Sequence, residues 1–268
     1  MIKPPDKLQN KWILVTGASS GFGAAAAVAF GGVGARLLLG ARREELLEEV
    51  AGRAREAGAP AVHVRALDVT QTNSVNGFVN WAAAIVQSPA DPKGRLHVLL
   101  NNAGGAQGLD TVAEGKDQDW ENMLQTNVLG LLRMTRAALP LLAHDAGASI
   151  INIGSFAGHT AYEGGSAYCA AKAGELQITR TLRLELLGTG IRVSTVDPGL
   201  AETEFSVVRF KGDSARAKQV YAGMMPLQAA DVAETIVWVA SRPKHVNIDE
   251  ILIKPVDQAS MTKINRRL

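Results

Sequence analysis

Tyr168 and Lys172 stand at i and i+4 in the run Tyr168-Cys169-Ala170-Ala171-Lys172, downstream of Ser155 and Asn127. On a helix that spacing places both side chains on one face, so a phenol and an ammonium can address one site. A free phenol holds its proton to about pH 10, and acid–base work near neutrality needs the phenolate favoured by about 3–4 kcal/mol. A cation beside it, such as the Lys172 ammonium, is one source of that stabilisation. Tyr and Lys at helical spacing are common, and the weight of this pair comes from its company. Ser155 follows the β-type run Ile150-Ile151-Asn152-Ile153-Gly154, which sets its hydroxyl at the carboxyl end of a strand, within reach of a reacting carbonyl. A serine in a strand-end turn is otherwise ordinary. Asn127 lies inside a helical pattern, where its amide competes with the backbone ladder. A place in a proton relay explains it, and so does a polar position on an exposed helix face.

Upstream, the first apolar run leads into Thr16-Gly17-Ala18-Ser19-Ser20-Gly21-Phe22-Gly23. Gly17, Gly21 and Gly23 permit a tight turn, close approach of the backbone to a pyrophosphate, and close packing of the helix that follows, whose amino end favours phosphate. Glycine-rich strand-to-helix turns also occur as plain connectors. Opening an alternating chain, this one reads as a dinucleotide site, and a phenol beside an ammonium then points to hydride transfer, the positive nicotinamide ring adding to the charge near the phenol. The second β-run commonly ends in a carboxylate for the ribose 2′-hydroxyl of NAD, whereas here Leu39 is followed by Gly40-Ala41-Arg42-Arg43. A guanidinium fork suits a 2′-phosphate, with Ser19 or Ser20 adding a hydroxyl, so NADP(H) is the expected cofactor. The plainer alternative pairs Arg42 and Arg43 with Glu45 and Glu48 on the surface.

The elements that must hold these residues alternate. Strand patterns fall at 12–15, 36–39, 61–67, 96–100, 149–153, 191–196 and 251–254, and helical ones at 23–30, 44–56, 73–85, 117–143, 167–187 and 230–240. That order predicts an α/β fold, a Rossmann-like doubly wound parallel sheet of about seven strands flanked by helices. No linker or composition shift divides residues 1–268, which read as a single domain. The stretch 200–226, with Phe205, Phe210, Tyr221, Met224 and Met225, is less regular and reads as a candidate lid. With 47% hydrophobic and 20% charged residues the chain suits a packed core. A formal net charge of +2, with a short basic end at Lys263, Arg266 and Arg267, argues against nucleic acid as a partner. The lone Cys169 has no disulfide partner, and neither an export signal nor a membrane-length apolar run is read, so the expectation is a soluble, cytoplasmic protein acting on a small molecule. None of the candidate residues is read as a metal ligand.

Taken together, Thr16-Gly17-x-x-x-Gly21-x-Gly23, Asn101-Asn102-Ala103-Gly104, Asn127, Ser155, Tyr168-x-x-x-Lys172 and Pro198-Gly199 resemble the classical short-chain dehydrogenase/reductase family, in its order and over essentially the whole chain. The resemblance implies that Tyr168 is the general acid–base and Ser155 orients the substrate carbonyl. Lys172 would hold the nicotinamide ribose and favour the phenolate, and Asn127 would anchor a water in the proton relay. It further implies that Asp68 and Val69 contact adenine, that Asn101, Ala103 and Gly104 line the cofactor, and that Pro198, Gly199 and Thr203 border the nicotinamide. Stretches such as Tyr162-Glu163-Gly164-Gly165 and Glu202-Thr203-Glu204-Phe205-Ser206-Val207-Val208-Arg209-Phe210 are similar to the branch of NADP-dependent 3-hydroxy acid dehydrogenases, which oxidise serine, L-allo-threonine and 3-hydroxy acids or reduce malonic semialdehyde. In that branch reading Arg209, on the candidate lid, holds a substrate carboxylate with Tyr162 nearby; an arginine in a polar loop is otherwise solvated. The family implies a homotetramer. His97 departs from the acidic residue usual before the fourth strand, and 87–95 is a slightly long loop. A broad carbonyl or ketone reductase and a non-catalytic NADP-binding redox sensor stand as alternatives; the intact Ser155-Tyr168-Lys172 set speaks against the sensor.

Overall fold

The computed structural model describes residues 8–87, 92, 94–144 and 146–267; most of the 87–95 loop and the amino-terminal 1–7 fall outside them. Its strands are β1 (Trp12–Thr16), β2 (Arg36–Ala41), β3 (Val62–Ala66), β4 (Leu96–Asn101), β5 (Ser149–Ile153), β6 (Arg192–Pro198), β7 (Ala201–Glu202), β8 (Leu227–Gln228) and β9 (Glu250–Ile253). Its α-helices are α1 (Gly21–Gly32), α2 (Glu44–Ala57), α3 (Thr72–Val86), α4 (Asp117–Leu124), α5 (Gly130–Ala138), α6 (Ser166–Glu185), α7 (Glu204–Arg209), α8 (Ser214–Gln219) and α9 (Ala229–Ala240). Seven strands form one parallel sheet in the order β3-β2-β1-β4-β5-β6-β9, and β7 pairs with β8 apart from it.

Runs such as Ile13-Leu14-Val15 and Leu37-Leu38-Leu39 are apolar without alternation because helices cover both faces of the sheet. The strand period of two then divides them. Ile13, Val15, Leu37, Leu39, Val98 and Leu100 join Phe30 of α1 in one core. Leu14, Leu38, Leu99 and Ile150 join Phe78 of α3 and Met134 of α5 in the other. From β1 the chain runs outward through β2 and β3, then returns to β4 on the other side of β1. The connections that leave the carboxyl ends of β1 and β4 therefore part in opposite directions and open a crevice between them.

Two expectations are corrected in detail. The helix read over 117–143 is not continuous: α4 passes into a π-helical turn at Gln125–Leu129, then α5, then a 3-10 turn at Leu139–Leu141. The Asn127 side chain explains the first break. Its Nδ2 donates to the Met123 carbonyl at 2.7 Å, the oxygen a regular helix would give to the Asn127 backbone, and the ladder widens by one residue to compensate. Pro140 ends the second part, and the Ala143 N–H turns to the Leu96 carbonyl of the sheet instead. The stretch 200–226, read as less regular, holds two six-residue helices, α7 and α8, capped by the side chains of Thr203 and Asp213, with turns between and after them. Among the described residues no helix is long and apolar enough to cross a membrane.

Helix α1 can sit close to α2 because Gly31 has no side chain; a Cβ there would stand 2.5 Å from the Ala54 carbonyl oxygen. That neighbour is backbone and cannot swing aside. Gly31→Val is therefore expected to lower stability by about 1–3 kcal/mol, the usual cost of overpacking, read as a fall in the thermal midpoint. A variant as stable as the parent would show that the two helices are not in this contact.

Candidate active site

The crevice between β1 and β4 begins at the glycine turn. Gly17 and Gly21 have φ of +64° and +53°, a conformation that side-chain-bearing residues adopt at a cost. The turn is clasped to the neighbouring strand: Thr16 Oγ1 accepts from the N–H groups of Asn102 and Ala103, both at 3.0 Å, and Asn102 Nδ2 donates to the carbonyls of Thr16 and Gly17 at 3.0 and 3.1 Å. Gly23 lies beneath, where a Cβ would stand 2.5 Å from Asn102 Nδ2. The cleft that results measures about 330 Å³ and runs from Ser19, Ser20 and Arg43 at one end, past Asp68 and Val69, to Tyr168 and Lys172 at the other.

Of the residues expected to bind a dinucleotide, Gly17, Ser19, Ser20, Gly21, Phe22, Arg42, Arg43, Asp68, Val69, Ala103, Gly104, Tyr168, Lys172 and Thr203 line this cleft. Asn101, Gly23, Pro198 and Gly199 do not. Asn101 turns into the sheet, where its Nδ2 donates to Thr135 Oγ1 and Asn152 Oδ1, and Asn102 takes the place at the cleft instead. Successive side chains of a strand face opposite sides, so only one of the two asparagines can reach the crevice. At the far end one nitrogen, Arg43 Nη2, donates to Ser19 Oγ at 3.3 Å, to Ser20 Oγ at 3.0 Å and to the Glu204 carboxylate at 3.0 Å. Glu204, not Glu45 or Glu48, is the ionic partner. A cation with two hydroxyls beside it is the donor set that a phosphate requires. Arg42 opens on the same mouth. With a glycine cradle, an open helix end at Ser20 and this anion site, the residues present fit a phosphorylated dinucleotide.

At the other end, α6 presents Tyr168 and Lys172 on its buried face, as their spacing requires. The Lys172 ammonium donates to the Ile153 carbonyl at 2.8 Å and to Glu175 Oε2 at 2.7 Å, which leaves one of its three protons uncommitted. Burial pulls this ammonium down, but the Glu175 carboxylate beside it, with Tyr168 and Asp197 adding to its effect, raises the group above its ordinary value. Burial pushes the Glu175 carboxyl up to about 7 against the pull of Lys172. The Tyr168 ring packs against Phe205, centroids 5.6 Å apart, and the Arg209 guanidinium carbon lies 5.7 Å from its centre. Ser155 caps the 3-10 turn Phe156–Gly158: its Oγ accepts from the Ala157 N–H at 3.1 Å, and its own proton remains available to a carbonyl.

Asn127 is buried, not on an exposed helix face. Its Oδ1 accepts from the Gly105 N–H at 3.0 Å, and its Nδ2 donates to the Gly105 and Met123 carbonyls. Gly104 fits between this side chain and Lys172; a Cβ there would stand 2.6 Å from Asn127 Oδ1 and 3.6 Å from Lys172 Nζ. The amide thus holds the 104–105 loop against the lysine. At the end of α7, Arg209 Nε donates to the Gly108 carbonyl and Nη2 to the Tyr162 hydroxyl, each at 2.9 Å. Burial pushes the Tyr162 phenol up to about 12 although Arg209 opposes it, so Tyr162 keeps its proton at working pH. A second hollow of about 10 Å³ adjoins Tyr168 here, among Gly108, Trp120, Met123, Gly164 and Arg209.

Sequence reasoning missed Asn102, Phe205 and Glu175. Glu175 had a legible signal: it continues the face of Tyr168 and Lys172 toward the buried Thr179 and Leu182, an odd place for a carboxylate. Asn102 stood in the Asn101-Asn102-Ala103-Gly104 motif and Phe205 on the candidate lid, but what each touches depends on two distant segments meeting.

A family model described as short chain dehydrogenase matches residues 11–213. The chain is 40% identical over 262 residues to an NADP-dependent 3-hydroxy acid dehydrogenase of Schizosaccharomyces pombe, covering 97% of this chain and 98% of that protein. It is 42% identical over 248 residues to sulfoacetaldehyde reductase 2 of Chromohalobacter salexigens, covering 92% and 95%. The closed form of a serine dehydrogenase complexed with NADP+ superposes with a TM-score of 0.82 at 37% identity, over 92% of this chain and 96% of that one.

Arg43→Ala is expected to weaken binding of a 2′-phosphorylated dinucleotide by about 1.5–3 kcal/mol, the scale of a charge-assisted hydrogen bond, and to leave the unphosphorylated form nearly unchanged. Equal losses in the two binding titrations would remove Arg43 from the phosphate site.

Proposed function

The chain belongs to the short chain dehydrogenase family, and on that premise we propose that it transfers a hydride between NADP(H) and a small 3-hydroxy acid, or an equally small hydroxy compound with another anionic group. It is an NADP-dependent oxidoreductase acting on a hydroxyl-bearing carbon. What supports the finer reading is the Tyr168 ring, which shares the cleft with Lys172 and has the Arg209 guanidinium against it, with Ser155 just past the strand whose Ile153 carbonyl holds Lys172. Bound NADP(H) supplies the hydride carrier, in the cleft whose Arg43, Ser19 and Ser20 suit its 2′-phosphate.

The protein's own groups do the rest. Tyr168 takes the hydroxyl proton in oxidation and returns it in reduction, and Ser155 donates to the same oxygen with the proton its cap leaves free. The uncommitted Lys172 proton is available to a ribose hydroxyl, and its charge favours the phenolate. Asn127 serves by holding the 104–105 loop, since every polar atom of its side chain is engaged there. Two donors of Arg209 are committed to Gly108 and Tyr162, which fixes the guanidinium beside Tyr168 and leaves Nη1 for a carboxylate or sulfonate. Tyr162, protonated and accepting from Arg209, can donate to the same anion. Leu124, Leu129 and Leu132 in the α4–α5 segment and Leu184 and Leu187 at the end of α6 are exposed, and we assign them to contacts between copies in a homotetramer, measurable by sedimentation.

Tyr168→Phe keeps the ring and removes the hydroxyl, so NADPH is expected to bind as before while turnover falls at least about 10²-fold. Near-normal turnover would end the catalytic role of the phenol, and a parent protein that binds NADPH without turning over any hydroxy acid, semialdehyde or ketone would leave a sensor. Arg209→Ala is expected to cut kcat/KM about 10-fold or more for serine and 3-hydroxy acids and to spare an uncharged aldehyde. Equal losses on both would assign Arg209 to the lid alone and favour a general carbonyl reductase.

A further inference from the structure

The Lys172 ammonium has an unusual companion. Glu175, one turn along α6, is 2% exposed, and its carboxylate meets Nζ at 2.7 Å. The carboxylate is not needed to hold the helix, whose ladder runs through this turn without it. Burying both charges is costly, and one buried partner without the other costs more still. A pair placed there acts on what stands next to it, and next to it stands Tyr168.

We propose that Glu175 is a positioning residue of the reaction: it fixes the Lys172 ammonium between itself and the Ile153 carbonyl and, as a counter-charge, limits how strongly that ammonium favours the Tyr168 phenolate. The proposal rests on Tyr168 and Lys172 being the acid–base pair argued above. A lysine alone beside a phenol favours the phenolate, which suits oxidation and works against reduction, where the phenol must carry a proton to give. An added carboxylate moves the balance back toward the protonated form and makes the site serviceable in both directions.

The groups that act on this centre come from three sides. Lys172 and Tyr168 lie on α6 itself. Asp197 reaches it from β6; its carboxylate is bonded to Thr195 Oγ1 and, at 2.7 Å, to His159 Nε2 from the turn after β5. Arg209 lies over the Tyr168 ring from α7. The nearest side chain of the π-turn, Asn127, is uncharged. Asp197 pushes the Glu175 carboxyl in the same direction as burial does, so Lys172 is what keeps Glu175 ionised above about pH 7.

The test is the pH dependence of kcat/KM for oxidation at saturating NADP+, with a 3-hydroxy acid that lacks an amino group so that the substrate does not titrate in the range. Glu175→Gln preserves shape and removes the charge. Its half-maximal pH is expected to move toward acid by about one unit, as for the loss of one nearby counter-charge. Glu175→Asp, which keeps the charge, is expected to stay within a few tenths of the parent. No shift, an alkaline shift, or equal shifts in the two variants would overturn the proposal. A second readout needs neither turnover nor a folded Gln variant. In carboxyl-13C-glutamate NMR of the parent protein with NADP+, the Glu175 signal, assigned by its loss in Glu175→Asp, must be that of an ionised carboxylate where the rate profile rises. A signal still protonated there overturns the proposal. Failure of the underlying reading shows separately, as turnover that survives Tyr168→Phe.

Discussion

The whole site hangs on the clasp between β1 and β4. The sheet order reverses at this pair, so it is where the flanking connections diverge and the backbone at the strand ends loses its neighbours. Polar groups left in such a crevice must be satisfied by side chains. Thr16 and Asn102 do so reciprocally: one hydroxyl serves two N–H groups of the β4 end, and one amide serves two carbonyls of the β1 end. The glycine turn, the amino end of α1 and the loop through Gly104 are thereby locked into one rigid wall. The arrangement leaves no room for side chains at Gly17 or Gly23, which is a packing demand as much as a phosphate-binding one.

A second polar chain runs through the sheet from this wall to α6. Thr135 of α5, Asn101 of β4, Asn152 of β5 and Thr179 of α6 are linked in sequence by hydrogen bonds, and all are buried. Directional bonds of this kind fix how α6 lies on the sheet more tightly than apolar contact does, because a shift would strand buried amides. Since α6 carries Tyr168, Lys172 and Glu175, that chain sets their height above the carboxyl ends of β4 and β5. Gly154 contributes by absence: a side chain there would run into the Asp197 and Thr195 oxygens behind it.

The short helix α7 joins the two ends of the cleft. Its first residue, Glu204, bonds Arg43 at the phosphate end, and its last, Arg209, bonds Gly108 and Tyr162 at the chemical end. Phe205 and Val208 between them face the cleft. The Glu204–Arg43 pair is half exposed, and contacts of that kind contribute little to stability, about 0–1 kcal/mol. The end at Arg209, half-buried and held by two hydrogen bonds, is the better anchored.

Much was legible in the residues alone. Short apolar runs set between helical patterns marked the seven strands of the parallel sheet within a few residues of their true bounds, and the i, i+4 spacing placed the phenol and the ammonium on one face. These are local properties: periodicity and chirality act over one turn or one strand and need no partner. The break of the 117–143 helix was not legible, because it turns on whether the Asn127 amide finds Met123 and Gly105, residues brought to it by the fold. Nor was the choice between Asn101 and Asn102, or the meeting of Arg43 with Glu204. Adjacent residues of like chemistry differ only in the direction they point, and direction is set by the strand's register and by what the sheet leaves open. The sequence determined which groups are present and their local spacing; the tertiary structure alone decided which of them share a site, because burial and hydrogen-bond satisfaction are properties of segments brought together.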